Sequence, residues 1–189
     1  MSCISMKMKS LPKGAQLVID TSYFLTLRDF PNFPDCKLFS TPEVLEEIKD
    51  RSNQLRIDVL ITTGSIRIES GRKEVEKKVV GHFRGNSNFL RLSRADLSVL
   101  VLAKDLHAQS PEVPVYVAAE DFEIQNIAVL LGLRLLTAKG ATICETRLYV
   151  RHCVACNNVV EPDEVDCSNC GSTRFRQKVS RRTNVRARG

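Results

Sequence analysis

VPVYVAAEDFEIQNIAVLLGLRLLT, residues 113–137, is the segment that most clearly indicates the architecture of this protein. It opens with a continuous apolar run, as expected of a strand that is buried on both faces of a sheet. Glu120 and Asp121 follow, and residues 122–131 have the composition of a buried helix, which Gly132 ends. A second apolar run completes the segment. A strand, a helix and a strand in this order predict an α/β fold with a parallel sheet between helices.

The same alternation is predicted for the residues that precede this segment. The apolar run QLVI at residues 16–19 ends at Asp20, and the hydroxyl residues that follow can cap a helix. Thr41 and Pro42 have the form of an N-cap and the first residue of another helix. We also expect strands at 37–39 and 65–68, a loop at 81–88, and a helix from the capping box at 93–96 to about residue 107.

Composition and length are typical of an intracellular globular protein. The 189 residues are 43% apolar, which is enough for one main domain with a small appendage. No apolar run approaches the roughly eighteen residues of a membrane span, and the N-terminus does not have the form of a signal peptide. Seven cysteines, four of them in two close pairs, indicate a reducing compartment with metal-bound thiolates. We therefore expect a soluble protein of the cytoplasm, and also of the nucleus if the source is eukaryotic.

Two CxxC pairs are predicted to bind one structural zinc ion as a small ribbon: Cys153, Cys156, Cys167 and Cys170. Ten residues separate the pairs, which suits a β-hairpin between two zinc knuckles. Asn157, Asn158 and Gly171 tolerate positive φ, so backbone N–H groups can turn back toward the sulfur atoms. Four thiolates leave no open coordination position, so the ion is expected to be structural. His152 is a candidate spare ligand, although such a histidine is more often a surface residue.

The C-terminal segment is strongly basic. The formal net charge of the chain is +6, which becomes about +4 when four thiolates bind Zn²⁺. No acid follows Cys170, and such a run of cations points to a polyanion, above all nucleic acid. A solubilising disordered tail is the alternative. The residues predicted to bind RNA are Arg174, Arg176, Lys178, Arg181 and Arg182.

Four acids are expected to meet at one edge of the sheet: Asp20, Glu47, Asp96 and Asp121. In an open parallel sheet, ligands bind beyond the carboxyl ends of the strands, which is where Asp20 and Asp121 lie. Glu47 and Asp96 lie on helices whose starts can face the same edge. Converging carboxylates repel one another unless a divalent cation neutralises them, and their hard oxygens suit Mg²⁺ or Mn²⁺. Such a cluster can hold metal against a phosphodiester and activate water for in-line attack.

Each acid also has a structural explanation. Asp96 can serve only its capping box, and Asp121 can be an N-cap. Glu43 and Glu47 can complement a helix dipole or solvate an exposed face. Asp20 is harder to explain in this way, because it directly follows an apolar strand, where an uncompensated carboxylate is unfavourable.

Four segments and the cysteine pairs together resemble the Nob-family PIN-domain endonuclease that matures small-subunit ribosomal RNA. The segments are LVIDTSYFL (17–25), STPEVLEEIKD (40–50), LSRADLSVLVLAKDL (92–106) and EDFEIQNIAVLLGLRL (120–135). Many PIN domains carry similar acids, whereas the phrase IQNIA with Gly132, and the attached ribbon, narrow the resemblance to this family. It extends from about residue 16 to about residue 178.

The resemblance implies a PIN-type three-layer α/β/α domain with a central parallel sheet at residues 16–147, followed by a zinc ribbon at 148–178. A flexible N-terminus at 1–15 and a basic tail at 179–189 complete the expected organisation. The implied activity is that of a metal-dependent endoribonuclease that cleaves the pre-rRNA of the small subunit at its mature 3′ end, with one or two Mg²⁺ or Mn²⁺ ions.

The residues that match the catalytic acids of the family are Asp20, Glu47, Asp96 and Asp121. Glu120, which stands where relatives often have an aspartate, and Ser22 are secondary candidates. Glu43 matches a variable position and ranks below Glu47. The expected partners are the pre-rRNA, the precursor of the small ribosomal subunit and ribosome assembly factors, with no membrane.

Two alternatives stay open. One is a non-catalytic RNA-binding assembly factor whose acids are structural, and the other is a general PIN-type ribonuclease. In each case the arginine-rich segment adds phosphate contacts. Base stacking is expected to be minor, because few exposed aromatic residues can be proposed.

Overall fold

The computed structural model of the chain describes residues 11–26, 33, 35–83, 89–138, 143, 145–161 and 164–184. Most of the expected flexible N-terminus, the second half of the expected loop at 81–88 and the last five residues of the basic tail lie outside these ranges.

Strands and helices alternate through the first three quarters of the chain, as predicted. The strands are β1 (Gln16–Ile19), β2 (Lys37–Ser40), β3 (Ile66–Ile68), β4 (Val115–Ala118) and β5 (Arg134–Leu136). The helices are α1 (Thr21–Thr26), α2 (Pro42–Glu47), α3 (Arg51–Thr62), α4 (Lys73–His82), α5 (Arg94–Gln109) and α6 (Phe122–Leu130), with a 3₁₀ turn at Phe89–Arg91 before α5. Among the described residues, no helix combines the length and the apolar character needed to cross a membrane.

The five strands form one parallel sheet in the order β3-β2-β1-β4-β5. The chain moves outward in one direction from β1 to β3 and in the other direction from β4 to β5. Because parallel crossovers are right-handed, the connecting helices cover opposite faces of the sheet. The predicted α/β fold with a central parallel sheet is therefore confirmed. The direction reverses between β1 and β4, so ligands are expected beyond the carboxyl ends of these two strands.

The core lies around the two central strands. Leu17, Val18 and Ile19 in β1 are fully buried, and every residue of β4 is buried. Helix α5 packs on both strands and presents a long buried face to them. Strands that are buried on both faces have continuous apolar sequences. The apolar runs therefore predicted β1 and β4 close to their observed bounds.

A second, antiparallel sheet follows, with the order β7-β6-β8. Its strands are β6 (Glu145–Cys153), β7 (Val159–Val160) and β8 (Phe175–Asn184). Both long strands cross the boundaries that we predicted, because β6 begins before residue 148 and β8 continues past residue 178. Residues 179–184 are therefore not a disordered tail, and a bulge lies where the register shifts between Leu148 and Tyr149.

Two buried amides of α6 connect the two sheets. The side chain of Asn126 pairs with the backbone of Arg147 in β6, donating to its carbonyl oxygen at 2.9 Å and accepting from its N–H at 2.8 Å. Gln125 donates to the carbonyl oxygen of Ala119 and accepts from the N–H of Ile143. We call these two residues the amide clasp. It occupies the centre of the IQNIA phrase and ties β6 to the helix that begins beside β4.

Candidate active site and metal centre

Asp20 lies directly after β1, at the point where the sheet reverses direction. Asp20 is only 2% exposed. One carboxylate oxygen, Oδ2, accepts from the backbone N–H and the hydroxyl of Ser22, at 3.0 and 2.6 Å. The other oxygen, Oδ1, is buried and has no hydrogen-bond partner within the described part of the chain. Burial raises the pKa of Asp20 to about 6 against the bonds from Ser22, and the nearby charge of Asp96 adds to the rise.

Asp96 connects the acids of different elements. It completes the predicted capping box of α5: its N–H donates to the Ser93 hydroxyl, and its carboxylate accepts from the Ser93 N–H. Burial raises the pKa of Asp96, the Ser93 bonds oppose the rise, and the charges of Asp121 and Glu47 add to it. Asp96 therefore has the capping role that we considered. Its carboxylate also interacts electrostatically with each of the other three acids.

Glu47 lies at the C-terminal end of α2 and is exposed. The hydroxyl of Thr21 donates to its carboxylate at 2.9 Å. Thr41 caps α2 as predicted, and its hydroxyl lies 2.6 Å from that of Ser98 in α5. This bond, together with the packing of α2 on α5, holds Glu47 near the start of α5.

Asp121 and Glu120 follow β4 and have different roles. Asp121 is exposed and caps α6 by accepting from the N–H of Glu123, as the structural alternative predicted. Glu120 instead accepts a short hydrogen bond from the N–H of Ala138, after β5. Its own N–H donates to the Ser22 hydroxyl at 2.9 Å. Ser22 therefore joins the end of β1 to the end of β4, whereas the carboxylate of Glu120 is engaged elsewhere.

The four predicted acids thus gather from four separate segments at the reversal point of the sheet. Their oxygens are more widely spaced than a closed ligand set: among the described residues, only the cysteines place three or more candidate ligand atoms within 4.8 Å of one another. Repulsion between carboxylates favours such spacing, and it leaves room for a cation and water. The unpartnered Oδ1 of Asp20 and the hard oxygen donors fit a divalent cation of the Mg²⁺ type.

The sequence did not predict the environments of Glu43 and Phe122. Glu43 lies 3.9 Å from Arg94 at the start of α5, and its second carboxylate oxygen is buried without a hydrogen-bond partner among the described residues. Its position four residues before Glu47, on the same face of a short helix, could have indicated that it lies near the acids. Phe122 is 63% exposed beside Asp121, although its apolar character predicted burial.

The four cysteines form the second candidate metal centre. The Sγ atoms of Cys153 and Cys170 are 3.6 Å apart, as are those of Cys156 and Cys167. Four sulfurs bound tetrahedrally at about 2.3 Å would lie about 3.8 Å apart, so the cluster has the size of a thiolate metal site. Backbone N–H groups of Cys156 and Ala155 donate to the sulfur of Cys153 and lower its pKa.

Two of the three residues that tolerate positive φ adopt it in the turns of this centre. Asn157 has φ 60° and Gly171 has φ 71°, whereas Asn158 does not adopt positive φ. His152 is not part of the cluster; its ring bonds to the carbonyl oxygen of Asn157 at 3.0 Å.

The predicted RNA-binding residues lie on β8 and just before it. Arg176 and Lys178 share a face of β8, and both donate to the side-chain oxygen of Asn157, at 3.2 and 2.7 Å. Arg174 is exposed, and Arg182 lies 3.8 Å from Glu145. The backbone of Arg181 pairs with Leu148 across the bulge. Four of the five residues thus belong to one strand, and Arg174 directly precedes it.

Comparison with known proteins gives several matches. A family profile described as PIN domain of ribonuclease matches residues 17–106. Endoribonuclease Nob1 of Pyrococcus abyssi is 30% identical over 159 residues, which are 83% of this chain and 90% of that protein. Endoribonuclease Nob1 of Methanothermobacter thermautotrophicus is 27% identical over 74% of this chain and 81% of that protein. Ribonuclease VapC3 of Aeropyrum pernix is 33% identical over 65% of this chain and 86% of that protein.

Proposed function

We propose that this chain, which belongs to the Nob1 family of PIN-domain endoribonucleases, cleaves the pre-rRNA of the small ribosomal subunit at the mature 3′ end. The proposed catalytic acids are Asp20, Glu47, Asp96 and Asp121. The pre-rRNA, the small-subunit precursor and ribosome assembly factors are the proposed partners, in the cytoplasm or, if the source is eukaryotic, also in the nucleus.

The observation that carries this proposal is the buried Oδ1 of Asp20, which has no hydrogen-bond partner among the described residues, in a carboxylate that also experiences the charge of Asp96. A buried polar atom without a partner is destabilising by roughly 1–3 kcal/mol. A protein that served only as a scaffold would gain stability by replacing this carboxylate. A site that takes up a divalent cation instead requires it, because the cation supplies the missing partner and neutralises the neighbouring acids.

One or two bound Mg²⁺ or Mn²⁺ ions would supply a Lewis acid that activates water and neutralises the phosphodiester. The side chains of the protein prepare this site. Ser22 orients Asp20 and also binds the backbone of Glu120, while Thr21 orients Glu47. Asp96 is held by its capping box, so its carboxylate is positioned before metal or RNA arrives.

We further propose that the cysteine cluster binds a structural Zn²⁺ ion, because four thiolates at this spacing match its preferred tetrahedral geometry. The proposed RNA-binding cations belong to β8 or directly precede it, and they would contact RNA phosphates: Arg174, Arg176, Lys178, Arg181 and Arg182. Phosphate contacts of this kind increase affinity without selecting a sequence. Because they release counterions from the RNA, RNA binding should weaken steeply with salt.

The test is cleavage of a transcript that spans the 3′ end of small-subunit pre-rRNA, in the presence of Mn²⁺. We expect the wild-type protein to cut one phosphodiester, and Asp20→Asn to lower the rate at least about 100-fold while RNA affinity is retained. Asp58→Asn, on the exposed side of α3, is the matched control and should cut normally. Full activity of Asp20→Asn, or cutting that does not depend on a divalent ion, would contradict the proposal.

A general ribonuclease is the second candidate, and the similarity to Ribonuclease VapC3 favours it. The two candidates differ in their choice of substrate. A pre-rRNA specialist should cut the 3′-end transcript at least tenfold faster than an unrelated RNA of equal length. Equal rates on both RNAs would support the general ribonuclease instead.

A further inference from the structure

Phe122 is the most unusual apolar residue near the acids. It is the first residue of α6, and 63% of its surface is exposed. Its neighbour in the chain is Asp121, whose charge acts on Asp96. Because adjacent Cα atoms are about 3.8 Å apart, the phenyl group is attached at the rim of the acid site. Most of the phenylalanines that the structure describes are buried, so the exposure of Phe122 requires an explanation.

A cation contacts the residue that follows Phe122 in α6. Arg91, in the 3₁₀ turn before α5, reaches across to Glu123, the residue that follows Phe122, at 3.3 Å. More than half of the Arg91 side chain remains exposed. The start of α6 thus carries an exposed aromatic ring and, bound to the next residue, a half-exposed guanidinium. Proteins bind single-stranded nucleic acid with such groups, because a ring stacks a base and a cation contacts the phosphate.

The position of Phe122 along α6 also places it between the two functional parts of the molecule. Asn126, one turn later on the same helix, lies on the same side as Phe122 and binds the backbone of β6. β6 pairs with β8, the strand that carries Arg176 and Lys178. The helix face that carries Phe122 therefore lies between the acids and the sheet that contains β8.

We propose that Phe122 is a nucleobase-binding residue, which stacks one unpaired base of the RNA next to the cleaved phosphodiester, with Arg91 on the adjoining phosphate. This inference rests on the proposed endoribonuclease function. It adds a base contact that the sequence did not predict. The stacked base must be unpaired, because a base in a duplex has no free face. The subsite thus selects single-stranded RNA at the cleavage point, and any base can occupy it.

Binding tests this proposal independently of cleavage. Short single-stranded RNAs would carry 2-aminopurine at one position in turn, and each would be titrated into the Asp20→Asn protein. We expect stacking to quench the fluorescence at one position, and Phe122→Ala in the same background to remove that quenching and weaken binding at least about fivefold. Phe122→Trp should retain both effects. Leu55→Ala, which removes an exposed apolar side chain from α3, should change neither.

Cleavage provides the second measurement. Replacing the stacked nucleotide by an abasic one should lower kcat/KM of the wild-type protein at least about fivefold, whereas Phe122→Ala should cut the two RNAs at equal rates. An abasic penalty of the same size in Phe122→Ala would overturn the proposal, as would quenching that persists in this variant. A protein that binds RNA at Phe122 but does not cut it would overturn only the proposed endoribonuclease function.

Discussion

At the scale of single residues, Asp20 shows how the site opposes the stability of the fold. Its carboxylate is removed from water, one oxygen has no partner among the residues that the structure describes, and the charge of Asp96 acts on it. The bonds from Ser22 offset only part of this penalty, since the pKa still rises. The folded protein without a divalent cation therefore binds the Asp20 proton more tightly than the unfolded chain does.

The first prediction concerns stability. The favourable contribution of protonated Asp20 is complete below the unfolded pKa of 3.8 and is lost as the pH rises through about 6. At pH 7.5, without added Mg²⁺ or Mn²⁺, Asp20→Asn should therefore stabilise the protein by roughly 1–3 kcal/mol. Chemical denaturation measures this directly. A variant less stable than the wild type at pH 7.5 would show that Asp20 supports the fold instead of the site.

The second prediction concerns competition between protons and metal. A protonated Asp20 cannot bind a cation, so kcat/KM should fall as the pH drops below about 6. Raising the Mn²⁺ concentration tenfold should shift this acid limb to lower pH. The measurement is a pair of pH–rate profiles at low and high Mn²⁺. Superimposable profiles would exclude Asp20 as the titrating ligand.

At the scale of secondary-structure elements, the amide clasp determines where the ribbon lies relative to the acids. Asn126 supplies both partners of one residue of β6, as a neighbouring strand would. The apolar pattern of α6 was visible in the sequence, and so was the IQNIA phrase that carries the family resemblance. The role of the two amides was not visible, because it depends on a strand 21 residues away in the chain.

The third prediction follows from the clasp. Asn126→Ala should leave β6 free to shift, so RNAs long enough to reach both β8 and the acids should lose at least tenfold in kcat/KM. A short single-stranded RNA that reaches only the acids should be cut within about twofold of the wild-type rate. Parallel kinetics on the two RNAs measure the difference. An equal loss on both would mean that Asn126 serves the folding of the main domain.

At the scale of the whole molecule, the two sheets have separate cores of very different size. The parallel sheet encloses a large apolar cluster, whereas the cluster of the ribbon has three buried residues among those that the structure describes: Cys153, Val160 and Cys167. A core this small does not stabilise a sheet by itself, so we expect the ribbon to depend on the Zn²⁺ ion proposed for its four cysteines.

The fourth prediction is that the two parts respond differently to chelation. Removing Zn²⁺ with a strong chelator should unfold the ribbon and weaken binding of long RNA, while the main domain keeps its cooperative thermal transition. Circular dichroism and RNA titration before and after chelation measure both effects, and restoring Zn²⁺ should reverse them. Loss of the main transition together with the ribbon would contradict separate cores.

The sequence predicted the parallel sheet, the caps of α2 and α5 and the segments that supply the acids, because these follow from local patterns of apolar residues and hydroxyls. It did not predict the start of α1, where the carboxylate of Asp20 accepts from the N–H of Ser22. It did not place the ends of the ribbon. β8 continues into a segment whose arginines are typical of a solvated tail, and only pairing with β6 orders that segment. The exposure of Phe122 was also hidden, since composition alone assigns a phenylalanine to the core.

The central claim is that acids from four separate segments hold one divalent cation site against RNA. The most direct test is a crystal of the protein grown with Mn²⁺ and measured at the manganese absorption edge. We predict an anomalous peak in direct contact with Oδ1 of Asp20 and within reach of Asp96, which is lost in crystals of Asp20→Asn. A fully occupied manganese ion at another place on the protein, with no anomalous peak at Asp20, would contradict the account.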